Sequence, residues 1–315
     1  MPAAPLQSPI RVLPHIRRAL DAGHPVVALE SSVLAQGLPV PANADAARRM
    51  IGAVEKAGAT PAFTAVACGQ PTVGLEQKEL ERFLSTRGIR KVSARDLGAA
   101  VAQCADGATT VAAALVIASA AGIATFATGG IGGVHRGLPG TTPDSWVRDE
   151  SADLTELAAT PMVVVCAGAK SILDLPATWE RLESLGIPVI GVGTSEFPGF
   201  YTAKTGIQLA LSVASAEEAA RIAAAHFALG RKQSVLVVQP PPAGVALDAR
   251  VLDRAVEAAL LRAGKEGVGG AALTPYLLAE VGKETGGKSL ETNLALLEAN
   301  ARLAAEIAGE LASGP

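Results

Sequence analysis

Short apolar runs at 26–29, 63–67, 123–128, 162–166, 188–192 and 234–238 alternate along the chain with segments at 43–57, 110–121, 216–229 and 293–311 whose apolar residues recur at helical spacing. Runs of that length, bounded by Gly, Pro or charge, read as buried strands. Their alternation with helices predicts an α/β protein with a substantially parallel sheet. The main internal break is Gln239-Pro240-Pro241-Pro242-Ala243-Gly244, a rigid turn after a strand. It is expected to lead into a mainly helical C-terminal section from about residue 245 without separating two domains, so that 1–315 forms a single α/β catalytic domain. No internal repeat or low-complexity tail is present.

At 315 residues the chain is long enough to bury a large core. Hydrophobic residues make up 49% and charged residues 18%, a globular composition. No apolar segment has the length needed to cross a bilayer, and no membrane partner is expected. Met1-Pro2-Ala3-Ala4-Pro5-Leu6 shows neither a basic n-region nor an apolar h-region, so the expected location is the cytoplasm. Cys68, Cys104 and Cys166 are odd in number and widely spaced, which suits reduced, buried thiols better than disulfides or zinc ligands. A net charge of -3, with 27 dispersed basic residues, leaves no electrostatic footprint for nucleic acid.

The candidate chemistry starts at Lys170, placed after the apolar run 162–166 and the turn Ala167-Gly168-Ala169. That position is the carboxyl end of a buried strand, where open α/β sheets place their ligands. A lysine in low-dielectric surroundings loses stability in its charged form, and its neutral amine can attack a carbonyl to form a Schiff base. The same place also suits an ordinary surface lysine. Glu30 follows the run 26–29 and sits at another strand end, a position for a general acid. Four glycines lie within five residues of the loop Thr128-Gly129-Gly130-Ile131-Gly132-Gly133-Val134-His135-Arg136-Gly137. Its backbone can approach a ligand and turn amides toward an anion, with His135 and Arg136 adding charge, or it can be a plain turn. Asp149-Glu150-Ser151-Ala152-Asp153 groups three carboxylates before a helix, an arrangement that suits a hard divalent metal and equally helix capping. Lys91 and Thr109-Thr110 complete the polar set. Gly282-Lys283-Glu284-Thr285-Gly286-Gly287-Lys288-Ser289 matches the P-loop expression, but a helical pattern precedes it and too little chain follows for a nucleotide-binding sheet. It reads as a helix end and a glycine turn before the next helix.

Several blocks run in order over nearly the whole chain: Val27-Ala28-Leu29-Glu30-Ser31-Ser32, Gln36-Gly37-Leu38-Pro39, Lys91-Val92-Ser93, Thr109-Thr110-Val111-Ala112-Ala113, 126–137, Ser151-Ala152-Asp153-Leu154-Thr155-Glu156-Leu157, 165–175 and 289–300. Together they resemble the pseudouridine-5′-phosphate glycosidase family, also called the indigoidine synthase A-like family. The resemblance implies an α/β/α layered sandwich with a large, mostly parallel (mixed) central sheet. It implies reversible cleavage of the carbon–carbon glycosidic bond of pseudouridine 5′-phosphate to uracil and ribose 5-phosphate, a lyase-class reaction of pyrimidine catabolism, in a manganese-dependent homotrimer. Under it Lys170 is the nucleophile that captures C1′ of the ring-opened sugar as an imine, and Glu30 the acid that protonates the base carbon. Asp149 is the metal ligand. Lys91, Val111, Thr128, Ser151, Ala152 and Asp153 meet substrate, with His135 and Asn293 near the sugar phosphate.

The chain departs from the family pattern in places. The stretch between His135 and Ser151 is longer than usual and carries Asp144 and Trp146, so that Asp144 is a second candidate for the metal. Gln239-Pro240-Pro241-Pro242 replaces Asn-Pro-x-Pro, and Cys68-Gly69 replaces Asp-Gly. A C-glycosynthase that joins ribose 5-phosphate to a uracil-like or other aromatic acceptor is therefore an alternative, and a non-catalytic sugar-phosphate binding protein a third.

Overall fold

The computed structural model of the chain describes residues 10–137 and 149–314. Asp144 and Trp146 lie outside the described residues. Among the described residues eleven strands form one sheet: β1 (Arg11–Val12), β2 (Val26–Glu30), β3 (Thr60–Ala67), β4 (Gln70–Val73), β5 (Arg90–Val92), β6 (Gly107–Thr109), β7 (Thr125–Ala127), β8 (Val163–Cys166), β9 (Val189–Val192), β10 (Ser212–Val213) and β11 (Val235–Val238). The helices are α1 (Pro14–Asp21), α2 (Ala42–Lys56), α3 (Gln77–Ser85), α4 (Leu97–Ala102), α5 (Val111–Ala120), α6 (Ala152–Ala159), α7 (Leu175–Ser184), α8 (Ala216–Ala228), α9 (Ala249–Glu266), α10 (Leu273–Glu284) and α11 (Lys288–Ser313).

The sheet runs in the order β1-β4-β3-β2-β7-β8-β11-β9-β10, with β6 also paired to β3 and β5 to β6. The stretch from β3 through β10 is parallel throughout, and among the described strands only the β3–β4 and β3–β6 pairings are antiparallel. Every residue of β8 and β11 is fully buried. Successive side chains point to opposite faces, so both faces of the sheet are covered by helices, as expected for three α/β/α layers. Each of the six apolar runs holds a strand, and each helical pattern holds a helix.

The section after β11 is helical and is built into the body. α11 packs against α2 and α8 and reaches β2, β7 and β8. Its stripe of Leu296, Ala301, Ala304, Ile307 and Ala308 is buried. The P-loop-like segment is a helix–turn–helix junction: α10 ends at Glu284, Gly286 and Gly287 take positive φ, and α11 begins at Lys288. Among the described residues no helix is long and apolar enough to cross a membrane. The expectation of buried thiols holds for Cys166 alone. Cys68 and Cys104 are exposed, because both fall in tight turns between elements, at φ of 50° and 49°.

Candidate active site

Strand order creates the site. β2, β7 and β8 are neighbours and parallel, so their carboxyl ends open on the same edge of the sheet. Glu30 ends β2, Thr128 follows β7, and Lys170 stands just past β8. All three line one pocket of about 250 Å³.

Beyond the strand ends, the glycine loop and the lysine turn continue the β7–β8 pairing by backbone hydrogen bonds. Ala167 N donates to Gly129 O at 2.9 Å, Ile131 N to Gly168 O at 3.0 Å, and Lys170 N to Ile131 O at 3.1 Å. Gly168 sits at φ 81°, and a Cβ there would stand 1.8 Å from Pro198 O, so only glycine allows this turn. The loop is therefore a brace for Lys170.

The loop does bind an anion, and the anion is the protein's own. Asp153 is 5% exposed, with Oδ2 accepting from Gly132 N at 2.8 Å and Oδ1 from Ala112 N at 3.0 Å. One carboxylate thus ties the glycine loop to the first turn of α5, where the helix dipole favours negative charge. Ser151 caps α6 by accepting from Asp153 N at 3.2 Å. A Cβ on Gly132 would fall 2.2 Å from Ser151 Oγ, which requires glycine at this approach.

Glu30 is buried between two hydroxyls. Thr128 Oγ1 donates to Oε1 at 2.5 Å, and Ser32 Oγ donates to Oε2. Lys91, at β5, also lines the pocket. It is exposed to solvent as a residue, yet crowding by protein around the ammonium holds its pKa below the usual lysine value. The charge of Lys170 pushes it the same way, against the opposing pull of Asp153 and Glu30. Burial also lowers His135, helped by Lys170 and Lys91 and resisted by Asp149, so its imidazole is neutral at pH 7.

The pocket gathers Glu30, Lys91, Thr128, His135, Ser151, Asp153, Lys170 and Asn293 of the residues expected from sequence. Val111 is buried as the first residue of α5, behind Thr110, and Ala152 opens α6. Asp149 stands outside the wall, exposed, where its carbonyl accepts from His135 N at 2.9 Å. Arg136 faces away from the pocket, its guanidinium donating to the carbonyls of Leu173 at 2.9 Å and Ser171 at 3.3 Å. The expectation that it meets an anion beside His135 is corrected accordingly.

Among the described residues no three His, Cys, Asp or Glu side chains gather as a metal cage. The carboxylates of Glu30 and Asp153 are committed to hydroxyl and amide donors. Among the described residues that leaves Asp149 as a carboxylate beside the site. A hard divalent cation that keeps most of its waters and takes one carboxylate fits such a donor set.

Two residues, Asn300 and Phe200, were not singled out from sequence. Asn300, fully inside α11, donates from Nδ2 to Thr128 O at 2.8 Å and accepts from Gln239 Nε2 at 3.0 Å, pinning the start of the glycine loop. Its signal was available: Asn293 and Asn300 lie seven apart, two polar residues on the apolar stripe of one helix. Phe200 takes φ 62°, rare for a bulky residue, and its ring packs over Gly130 in the pocket wall. Thr110 precedes α5 but does not cap it, because Asp153 takes Ala112 N instead. Its buried Oγ1 finds no partner among the described residues.

A family model described as indigoidine synthase A like protein matches residues 15–310. The chain is 58% identical over 296 residues to the pseudouridine-5′-phosphate glycosidase of Gemmatimonas aurantiaca, covering 94% of each chain. It is 49% identical over 300 residues to that of Myxococcus xanthus, covering 95% of this chain and 97% of the relative. Among solved structures it matches the prealnumycin C-glycosynthase AlnA in complex with ribulose 5-phosphate, at a TM-score of 0.87 and 39% identity over 96% of this chain and 97% of that one. It also matches an indigoidine synthase A-like protein from Thermotoga maritima, at a TM-score of 0.85 and 34% identity over 96% of each chain.

Proposed function

The chain belongs to the indigoidine synthase A-like family, and on that premise we propose that it is a pseudouridine-5′-phosphate glycosidase, which reversibly cleaves the C–C glycosidic bond of pseudouridine 5′-phosphate to uracil and ribose 5-phosphate. The observation that carries the reading is the convergence of Lys170 and Glu30 on one pocket at the carboxyl edge of β2, β7 and β8.

A carbon leaving group is poor, and the site answers this with a nucleophile and an acid. In cleavage, the uncharged amine of Lys170 bonds to C1′ as the C1′–O4′ bond breaks, and the proton that the nitrogen loses goes to the departing ring oxygen. Glu30 then delivers its proton to C5 of the base. The amine lone pair expels uracil by breaking the C1′–C5 bond, which leaves an iminium between Lys170 and the open-chain sugar. Water hydrolyses that iminium to ribose 5-phosphate and restores the amine. In the synthetic direction water leaves, which corresponds to a hydro-lyase.

The remaining residues bind and orient. Lys91, Ser151 and the first turn of α5 at Thr110 and Val111 offer positive potential and donors to the 5′-phosphate. Neutral His135 and Asn293 are hydrogen-bonding groups for the sugar and base. Phe200, Leu278 and Leu297 give the pocket an apolar wall suited to a flat base. Asp149 would hold a manganese ion. Bound there, the ion would supply charge balance beside an anionic substrate. The homotrimer belongs to the same reading, and light scattering tests it.

Incubation with ribose 5-phosphate, Mn²⁺ and uracil, followed by mass spectrometry, tests the reaction: pseudouridine 5′-phosphate should form and should disappear in Lys170→Ala. The likeness to AlnA favours a second reading, C-glycoside synthesis on another acceptor. Absence of product, with ribose 5-phosphate still trapped on Lys170 by borohydride, would select it. Absence of both product and adduct would remove the imine mechanism.

A further inference from the structure

Three other arginines are committed to protein partners. Arg136 is held by two backbone carbonyls, Arg82 lies 2.7 Å from Asp106, and Arg181 lies 2.9 Å from Glu150. Arg95 differs. It lines the active-site pocket beside Ser93 and Lys91, yet its side chain is 85% exposed and the carboxylate of Asp96 stands 3.8 Å away. That carboxylate is occupied as well, since Asp96 Oδ2 accepts from Ser93 N at 3.1 Å. The backbone beneath Arg95 is fixed by this local bond and by the short 3₁₀ turn Ala94–Asp96. Only the side chain has to be ordered for the guanidinium to reach inward.

The pocket has a use for such a group. Its wall cations crowd one another: Lys91 and Lys170 line the same pocket as the carboxylates of Glu30 and Asp153, and burial and the charge of Lys170 both work against the charge of Lys91. A phosphate dianion entering there needs a partner whose charge does not depend on that balance. A guanidinium stays protonated at any working pH and meets two phosphate oxygens with a planar fork.

We propose that Arg95 closes over the 5′-phosphate of the sugar and is the residue by which the enzyme prefers ribose 5-phosphate to ribose. The proposal rests on the functional reading above, since it takes its ligand from it. Arg95 is reached from solvent and contacts no reacting atom, so its effect falls on binding of the phosphorylated sugar and leaves the chemical step alone.

The test compares Arg95→Ala and Arg95→Lys with the wild-type enzyme in three readouts: kcat/KM for ribose 5-phosphate, kcat/KM for ribose, and calorimetric affinity for ribose 5-phosphate. Arg95→Ala is expected to weaken ribose 5-phosphate by about tenfold or more, the scale of one charge-assisted contact. Ribose and saturating kcat should stay unchanged, and Arg95→Lys should fall between. Equal losses for both sugars, or no loss for either, overturn the clamp. The two readings fail separately. Product formed with unchanged affinity in Arg95→Ala sinks the clamp and leaves the reaction. Arg95-dependent binding without any product leaves the clamp and sinks the reaction.

Discussion

Replacing Asp153 by asparagine separates a carboxylate that holds the site together from one that touches substrate. The two side chains are nearly isosteric, so packing is preserved. An asparagine can accept from Ala112 N or from Gly132 N through its single oxygen, and its NH₂ then faces the other amide as a second donor. One charge-assisted hydrogen bond is lost, worth about 1.5–3 kcal/mol, and one buried N–H is left unpaired at about 1–3 kcal/mol. Loss of negative charge at the start of α5 adds about 0.3–1 kcal/mol. Because these overlap, we expect a net destabilisation of about 3 kcal/mol, or about 5 °C in Tm for a chain of this size. The functional effect travels by backbone: Gly132 adjoins Ile131, whose N–H and C=O hold Gly168 and Lys170. Misplacement of the Lys170 amine should lower kcat by about tenfold or more. Denaturant unfolding, thermal melting and steady-state kinetics on Asp153→Asn measure all three. Wild-type stability with a raised KM alone would refute the bracing role and return Asp153 to direct substrate contact.

Lys170→Ala should abolish turnover and the borohydride-trapped adduct while keeping part of the affinity for ribose 5-phosphate; substantial residual turnover would remove Lys170 from the chemistry. Glu30→Gln should still form the adduct but block proton exchange with C5 of uracil, so unchanged turnover would refute its acid role. Lys91 carries charge only below its folded pKa, which lies under the usual 10.5 because burial and Lys170 oppose the ammonium. KM for ribose 5-phosphate should therefore rise as pH climbs through a value below 10.5, and Lys91→Arg should flatten that rise; a flat wild-type profile up to pH 10.5 would exclude Lys91 from phosphate binding.

Legibility in the sequence followed burial. Strands β2, β3, β7, β8, β9 and β11 are sandwiched between helices, so their sequences are continuous apolar runs that announce themselves. β5, with Arg90 and Lys91 exposed, and β4, which contains Pro71, owe their strand state to pairing partners and carry little pattern of their own. Lys170 and Glu30 were readable because each follows such a run, and in a parallel sheet the residues after every run share one edge. That β2, β7 and β8 are neighbours was not readable, since strand order depends on contacts far apart in sequence. The glycine loop is the instructive case. Four glycines suggested a cradle waiting for an external anion, and one amide of the loop, Gly132 N–H, does donate to an anion. The anion is Asp153, and no local pattern joins residue 153 to Gly132 and Ala112. Because the protein supplies that carboxylate itself, the loop and the Lys170 turn are ordered before substrate arrives. The binding energy of the sugar phosphate is then free to orient C1′ against an amine already in place.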